Sequence, residues 1–210
     1  LNSDTPLFKT DSLSNDIKEY FLLLKHAELL WDDAILLLRN GSYSTSAFIS
    51  ICALEEIGKL SIARFQIVIN ESRRNSSENT SHKKKGRKKN PLYSHHKKHQ
   101  LAALGGLSVN SRADRLLGVE NIISIMKLAE DSALESIRQN SIYSRNENGK
   151  IIRPCDEWDI GDAVFFCSLS GELLAEIGGF DPDTFERLLE RVIVFEKDYP
   201  LDNYMINTKL

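Results

Sequence analysis

The stretch from Ala47 to Ile69 is the feature that most constrains the fold. It is built of helix formers and is apolar on nearly every side, except where Glu55, Glu56 and Lys59 interrupt it. A helix apolar all round predicts a position at the centre of a domain. Charges on such a helix are costly unless they are paired or used. Three charges within Ala53-Leu54-Glu55-Glu56-Ile57-Gly58-Lys59 therefore predict either an ion-pair knot or a functional site. Glu55 and Lys59 stand at i,i+4, the favourable order for a helix salt bridge, which leaves Glu56 to find a partner elsewhere. Gly58 costs about 1 kcal/mol relative to Ala in a helix interior, so close approach of another backbone or a ligand is expected there.

The flanking sequence reads as more helix. Ile17, Tyr20, Phe21, Leu24, Ala27, Trp31, Ala34 and Leu38 recur at three- and four-residue steps. This periodicity predicts an amphipathic helix from Ser14 or Asn15 to Arg39, stopped by Asn40-Gly41. A second helix opens at Ser44 to Ser46 and runs to about Asn70, making an antiparallel hairpin with the first. Shorter helices are predicted over Tyr93–Leu104, Asp114–Arg138, Glu157–Ile177 and from Asp181-Pro182-Asp183 to Phe195. Between residues 139 and 156 the Asn-Gly and Arg-Pro turn signals outweigh a short extended segment around Lys150–Arg153. The fold class is all-α: a bundle of five to six helices around a core of long antiparallel helices. Residues 1–14 read as a flexible lead, 15–200 as one domain with a flexible basic loop at 71–91, and 201–210 as a tail.

The chain has 210 residues, with 41% hydrophobic and 27% charged content, as expected of a globular domain with a real core. No apolar stretch is long enough to cross a bilayer, because Lys25, Asp32, Asp33, Glu55 and Lys59 break the best candidates. The polar, acidic start lacks the pattern of a secretory leader. Cys52, Cys155 and Cys167 have no metal-ligand spacing, and Cys52 and Cys167 read as small core residues. These points predict a cytoplasmic protein without membrane partners. The net charge of −3 conceals an asymmetry: residues 82–98 hold eight Lys or Arg and no acid, so the remaining body is acidic.

Two further strings carry chemistry. In Ser94-His95-His96-Lys97-Lys98-His99, helical spacing places His95 and His99 on one face with Lys98 beside them. Neighbouring cations favour the neutral, basic form of a histidine. Such a group suits RNA cleavage, in which a base takes the 2′-hydroxyl proton and a cation steadies the phosphorane. The lysines oppose a metal ion, and no metal or other cofactor is expected. The run Lys83, Lys84, Lys85, Arg87, Lys88 and Lys89 reads as a phosphate-contacting loop or a solvated one. No phosphate-binding Gly-rich loop, Gly-x-Ser-x-Gly, zincin or dinucleotide motif is present.

Four strings together resemble the AbiV family of bacterial abortive-infection proteins, a branch of the HEPN superfamily. They are Leu30-Trp31-Asp32-Asp33-Ala34 through Leu38 with Gly41-Ser42-Tyr43 and Ala47; Ala53 to Lys59; His95-His96-Lys97-Lys98-His99; and Arg138 with Ile142-Tyr143 and Pro154. The likeness covers residues 15 to 177. It implies a helical bundle, a homodimer and a role in defence against phage. Many HEPN domains are metal-independent ribonucleases whose sites form across a dimer interface. The superfamily's usual Arg-to-His motif is not matched, since Arg87 precedes His95 at a longer gap and Lys89 has the fitting gap with Lys in place of Arg. The resemblance puts Glu55, Glu56, Lys59, His95 and Lys98 in the site. It implies an endoribonuclease that halts translation or, as an alternative, a non-catalytic module that binds a phage or host translation-related protein.

Overall fold

A computed structural model describes residues 15–75, 94–106, 112, 118–179 and 181–204. The predicted basic loop from Lys83 to Lys89 and the lead over residues 1–14 lie outside the described residues. Within them the chain is all-α, as expected. Its helices are α1 (Asn15–Arg39), α2 (Tyr43–Asn75), α3 (His95–Gly106), α4 (Val119–Glu130), α5 (Ala133–Asn140), α6 (Ile160–Gly178) and α7 (Pro182–Asp198).

The predicted hairpin of long helices is present. Tyr20, Leu24, Ala27, Trp31, Ala34 and Leu38 form the buried stripe of α1. The stripe is tied down at two points. Tyr20 donates its hydroxyl to the carbonyls of Ile177 and Gly178 at 2.9 and 3.0 Å, and Trp31 Nε1 donates to the Cys167 carbonyl at 2.9 Å. Buried polar groups of large aromatics need such partners, and here they fix the height of α1 on α6. Gly41 takes φ 75° in the turn, where a side chain would be strained.

The most enclosed helix is α6, not α2. It is buried at nearly every position from Gly161 to Gly178, and it is flanked by α1, α2, α3 and α7. By contrast, α2 is enclosed only through its first half. Beyond Leu60 it leaves Phe65 and Val68 exposed. The apolar run correctly marked a core helix but overstated how far along α2 the core extends. Asp159 opens α6 with a reciprocal cap: it accepts from the Asp162 amide at 3.1 Å, and its own amide donates to Asp162 at 3.2 Å. The cap of α7 is Asp181, which accepts from the Thr184 amide at 3.0 Å. Cys167 is fully buried against Ser46 and Ser50, Cys52 is half-buried and Cys155 is exposed.

Two expectations are corrected. The single helix expected over Asp114–Arg138 breaks after Glu130. Ser132 takes a left-handed conformation, φ 61°, and restarts the chain as α5. Asp and Ser favour local turns over helix interiors, and Asp131-Ser132 uses that preference. The connection after α5 is also more regular than expected. Strands β1 (Arg145–Glu147) and β2 (Lys150–Ile152) pair antiparallel around Asn148-Gly149, with φ 52° and 83°. Positive φ at both turn residues is the hairpin geometry that Asn-Gly prefers. A short 3-10 turn at Leu201–Asn203 buries Leu201, so ordered packing continues past residue 200.

Candidate functional site

The first half of α2, the start of α3 and the end of α5 meet around one carboxylate. Gly58 makes the closest approach feasible. A Cβ at this position would stand 2.1 Å from the Lys98 carbonyl oxygen, so the α3 backbone lies against α2 where only glycine fits. That contact is the close backbone approach expected from the glycine. One turn before it, Glu55 points into the seam.

Four basic side chains converge on Glu55. His95 Nδ1 lies 2.7 Å from Oε2, and Lys98 Nζ donates to the same oxygen at 2.9 Å. On the other oxygen, Arg138 Nε stands at 3.4 Å and His99 Nε2 at 3.6 Å. The last distance is beyond ordinary hydrogen-bond length. The Glu55 side chain is only 7% exposed and Lys98 9%, whereas His95 is 49% exposed. A buried charge is thus surrounded by partners, and one of them faces solvent.

Burial alone would push the Glu55 carboxyl up. Its contacts with His99, Lys98 and His95 outweigh that and hold it at about 2. Glu55 is therefore an anion at neutral pH and can only accept. The proton in its bond with His95 therefore sits on Nδ1, and Nε2 is the nitrogen that can accept when the ring is neutral.

The pairing expected within α2 is corrected. Lys59 does not reach Glu55; it donates to both oxygens of Glu56, at 2.6 and 2.8 Å. The i,i+3 neighbour captures it because Glu55 is turned toward the tertiary cations of α3 and α5. Of the five expected site residues, Glu55, His95 and Lys98 are brought together. Glu56 and Lys59 form a separate half-buried pair on the next face.

The residues that spacing did not single out are Arg138, Glu135 and His99's direct role. Arg138 chelates Glu135 with Nε and Nη2 at 2.9 and 2.8 Å, and its guanidinium lies 5.6 Å from the centre of the Phe48 ring. The bond to Glu135 raises the Arg138 pKa, and the bond from Arg138 lowers the Glu135 pKa. Arg138 was visible only through the family likeness, because nothing in the local sequence links it to a residue 83 positions earlier. Potential ligand atoms of Glu55, His95 and Glu135 lie within 4.8 Å of one another. Lys98 and Arg138 already occupy both carboxylates, and their charge opposes a divalent cation there.

Among the described residues no helix is long and apolar enough to cross a membrane. The HEPN_AbiV family model, described as AbiV, matches residues 18–175, which takes in all three helices that build the site. No curated protein and no solved structure matches the chain. With the model covering most of its length, the chain belongs to the AbiV family of HEPN-type abortive-infection proteins.

Proposed function

We propose that this AbiV-family chain acts in phage defence as a metal-independent endoribonuclease, with His95 as the general base. The observation that supports this reading is the half-exposed His95 held by a buried, ionised Glu55. A carboxylate on Nδ1 orients the ring and fixes the tautomer whose Nε2 can take a proton. In the proposed step Nε2 removes the 2′-hydroxyl proton of RNA. The 2′-oxygen then attacks the adjacent phosphorus, the P–O5′ bond breaks, and the 5′-oxygen leaves as a hydroxyl with a proton taken from water, producing a cyclic phosphate end. Lys98 and Arg138 offset the charge of Glu55. Lys59, or Lys98 drawn off Glu55 by substrate, neutralises the phosphorane. The run from Lys83 to Lys89 attracts RNA through its phosphates.

The test is incubation of the purified protein with total bacterial RNA and with tRNA in EDTA, beside His95→Ala. Cleavage by the parent alone is the expected result. Retained cleavage in the variant would remove His95 from the reaction. Activity that appears only without EDTA would point to a cation at Glu55, His95 and Glu135.

A second reading rests on a different observation. Glu55, Lys98 and Arg138 all have partners within the chain, and Lys98 and His99 are buried. If that network only locks α3 and α5 onto α2, the protein is an interaction module for a phage or host translation-related protein. Neither the parent nor His95→Ala would then cleave RNA, although both would be folded.

A further inference from the structure

A cleft of about 300 Å³ opens between the end of α5, the β1–β2 hairpin and the start of α6. That is room for a small ligand or for one ring system of a larger one. Ile137, Trp158 and Phe166 give it an apolar lining, with the two aromatic rings 6.1 Å apart and tilted by 44°. The cleft adjoins the Glu55 cluster through α5. Arg138 faces Glu55, while Ile137 just before it and Asn140 just beyond it line the cleft.

The polar lining sorts ligands by their chemistry. Arg145 is held edge-on by two acids: Nη2 donates to Glu157 Oε1 and Nε to Glu147 Oε1, both at 2.6 Å, and Nη1 donates to Glu157 Oε2. A phosphate would have to displace one of these carboxylates, whereas the flat faces of the guanidinium stay usable for stacking. Asp162 lines the cleft too and is engaged by the Asp159 amide in the α6 cap. The acids outnumber Arg145 here, which further opposes a phosphate. Among the described residues, the Asn140 side-chain amide and the Trp158 indole N–H have no hydrogen-bond partner. Asn140 offers donors and an acceptor, and Trp158 a donor only. A cationic ligand only donates and cannot use the indole N–H. A neutral, flat heterocycle with donors and acceptors on its edge can use both groups and stack on a ring.

We infer that this cleft takes one unpaired base of an RNA strand, stacked on Trp158 and hydrogen-bonded by Asn140. Single-stranded RNA is recognised by such means, with aromatic and guanidinium faces under the base and polar groups at its edge. The inference rests on the ribonuclease reading for its choice of RNA, and it adds a base-holding subsite beside the His95 centre.

The chain has two tryptophans, and Trp31 is buried in the core, so Trp158 fluorescence reports on the cleft. The probe is a short single-stranded RNA, 2′-O-methylated throughout, which lacks the attacking hydroxyl and cannot be cleaved. In EDTA it should quench the full chain's emission, and Trp158→Phe should lose that signal. Anisotropy of the end-labelled RNA measures affinity. Trp158→Ala should weaken binding about 10-fold, the loss of one base stack, with the salt dependence unchanged. Asn140→Ala, at an exposed position that leaves the fold intact, should weaken it about 3-fold. Emission that the RNA leaves unchanged overturns the proposal, as does parent-like affinity in Asn140→Ala or in folded Trp158→Ala. Quenching by spermidine or by AMP, with none by the RNA, overturns it equally. The ribonuclease reading fails separately. Quenching without cleavage of natural RNA removes the reaction and leaves the base site, whereas cleavage without quenching removes the base site alone.

Discussion

Glu55 and Glu172 are both acids carried into the core on long helices, yet their surroundings drive them in opposite directions. Glu55 on α2 faces His95, Lys98, His99 and Arg138 and is held at about 2. Glu172 on α6 is fully buried and, among the described residues, has one cation, Arg112, whose Nε donates to it at 2.9 Å. That cation is shared: the same guanidinium also bonds Glu196, and the Arg112 amide donates to Glu176 at 3.2 Å. Burial raises the Glu172 carboxyl, and the neighbouring Glu196 raises it further. Among the described residues Glu172 Oε2 and Glu196 Oε1 have no donor, and a proton held between the two acids satisfies both. Burial acts in the same direction at both sites; the balance of nearby charge decides which form of the acid survives it.

The largest effect should come from breaking the Glu55 side of this comparison. Glu55→Gln leaves Lys98 buried without its counter-ion, while Arg138 keeps Glu135. Removing one partner of a buried pair typically costs about 3–5 kcal/mol. Urea unfolding at neutral pH should show the midpoint falling with little change in slope. A midpoint within error of the parent would mean that the network does not hold α3 and α5 in place. Next in size is Gly58→Ala. Its methyl group must displace the Lys98 carbonyl, so overpacking should cost about 1–3 kcal/mol despite alanine's better helix propensity.

Proton linkage sharpens the comparison with a smaller, signed effect. Glu55 binds a proton more weakly in the folded chain than in the unfolded one. Its stabilisation is present above 4.5 and is lost as pH falls from 4.5 toward about 2. Glu172 does the reverse. The folded chain keeps a proton that the unfolded chain releases, so stability drains away as pH rises from 4.5 through the raised value. Glu172→Gln removes that drain. It should gain about 1–2 kcal/mol on the parent at pH 8 relative to pH 5, read from urea midpoints at the two pH values. An unchanged difference would show that Glu172 is as ionised as a surface acid.

The sequence exposed the scaffold better than the wiring. The limits of α1, the turn at Gly41 and the Asp181 cap follow from local periodicity and capping chemistry, which act within a few residues. The partners of Glu55 do not: α3 supplies them 40 to 44 positions away and α5 supplies Arg138, and these tertiary cations override the i,i+4 rule that pointed to Lys59. Gly58 was legible because a mid-helix glycine needs a reason, even though its contact is remote. Glu172 was not singled out, because it lacks the neighbouring charges that marked Glu55, and only its complete burial in α6 brings it to attention. The break at Ser132 was not legible, because the apolar pattern continues across it and only the backbone conformation changes.

The smallest expected stability effect separates structure from chemistry at a single carboxylate oxygen. His95 and Lys98 both bond Glu55 Oε2, at 2.7 and 2.9 Å, but His95 is half exposed and Lys98 is buried. Water can replace an exposed donor, so His95→Ala should cost less than about 1 kcal/mol. Lys98→Ala removes a buried counter-ion and packing for α3, and should cost several times more. Matched urea curves of the two variants measure the difference. If His95 also carries the reaction, its variant loses cleavage of RNA while keeping nearly all of the parent's stability. If His95 only braces α3, its stability cost approaches that of Lys98→Ala, and no function is lost beyond what unfolding explains.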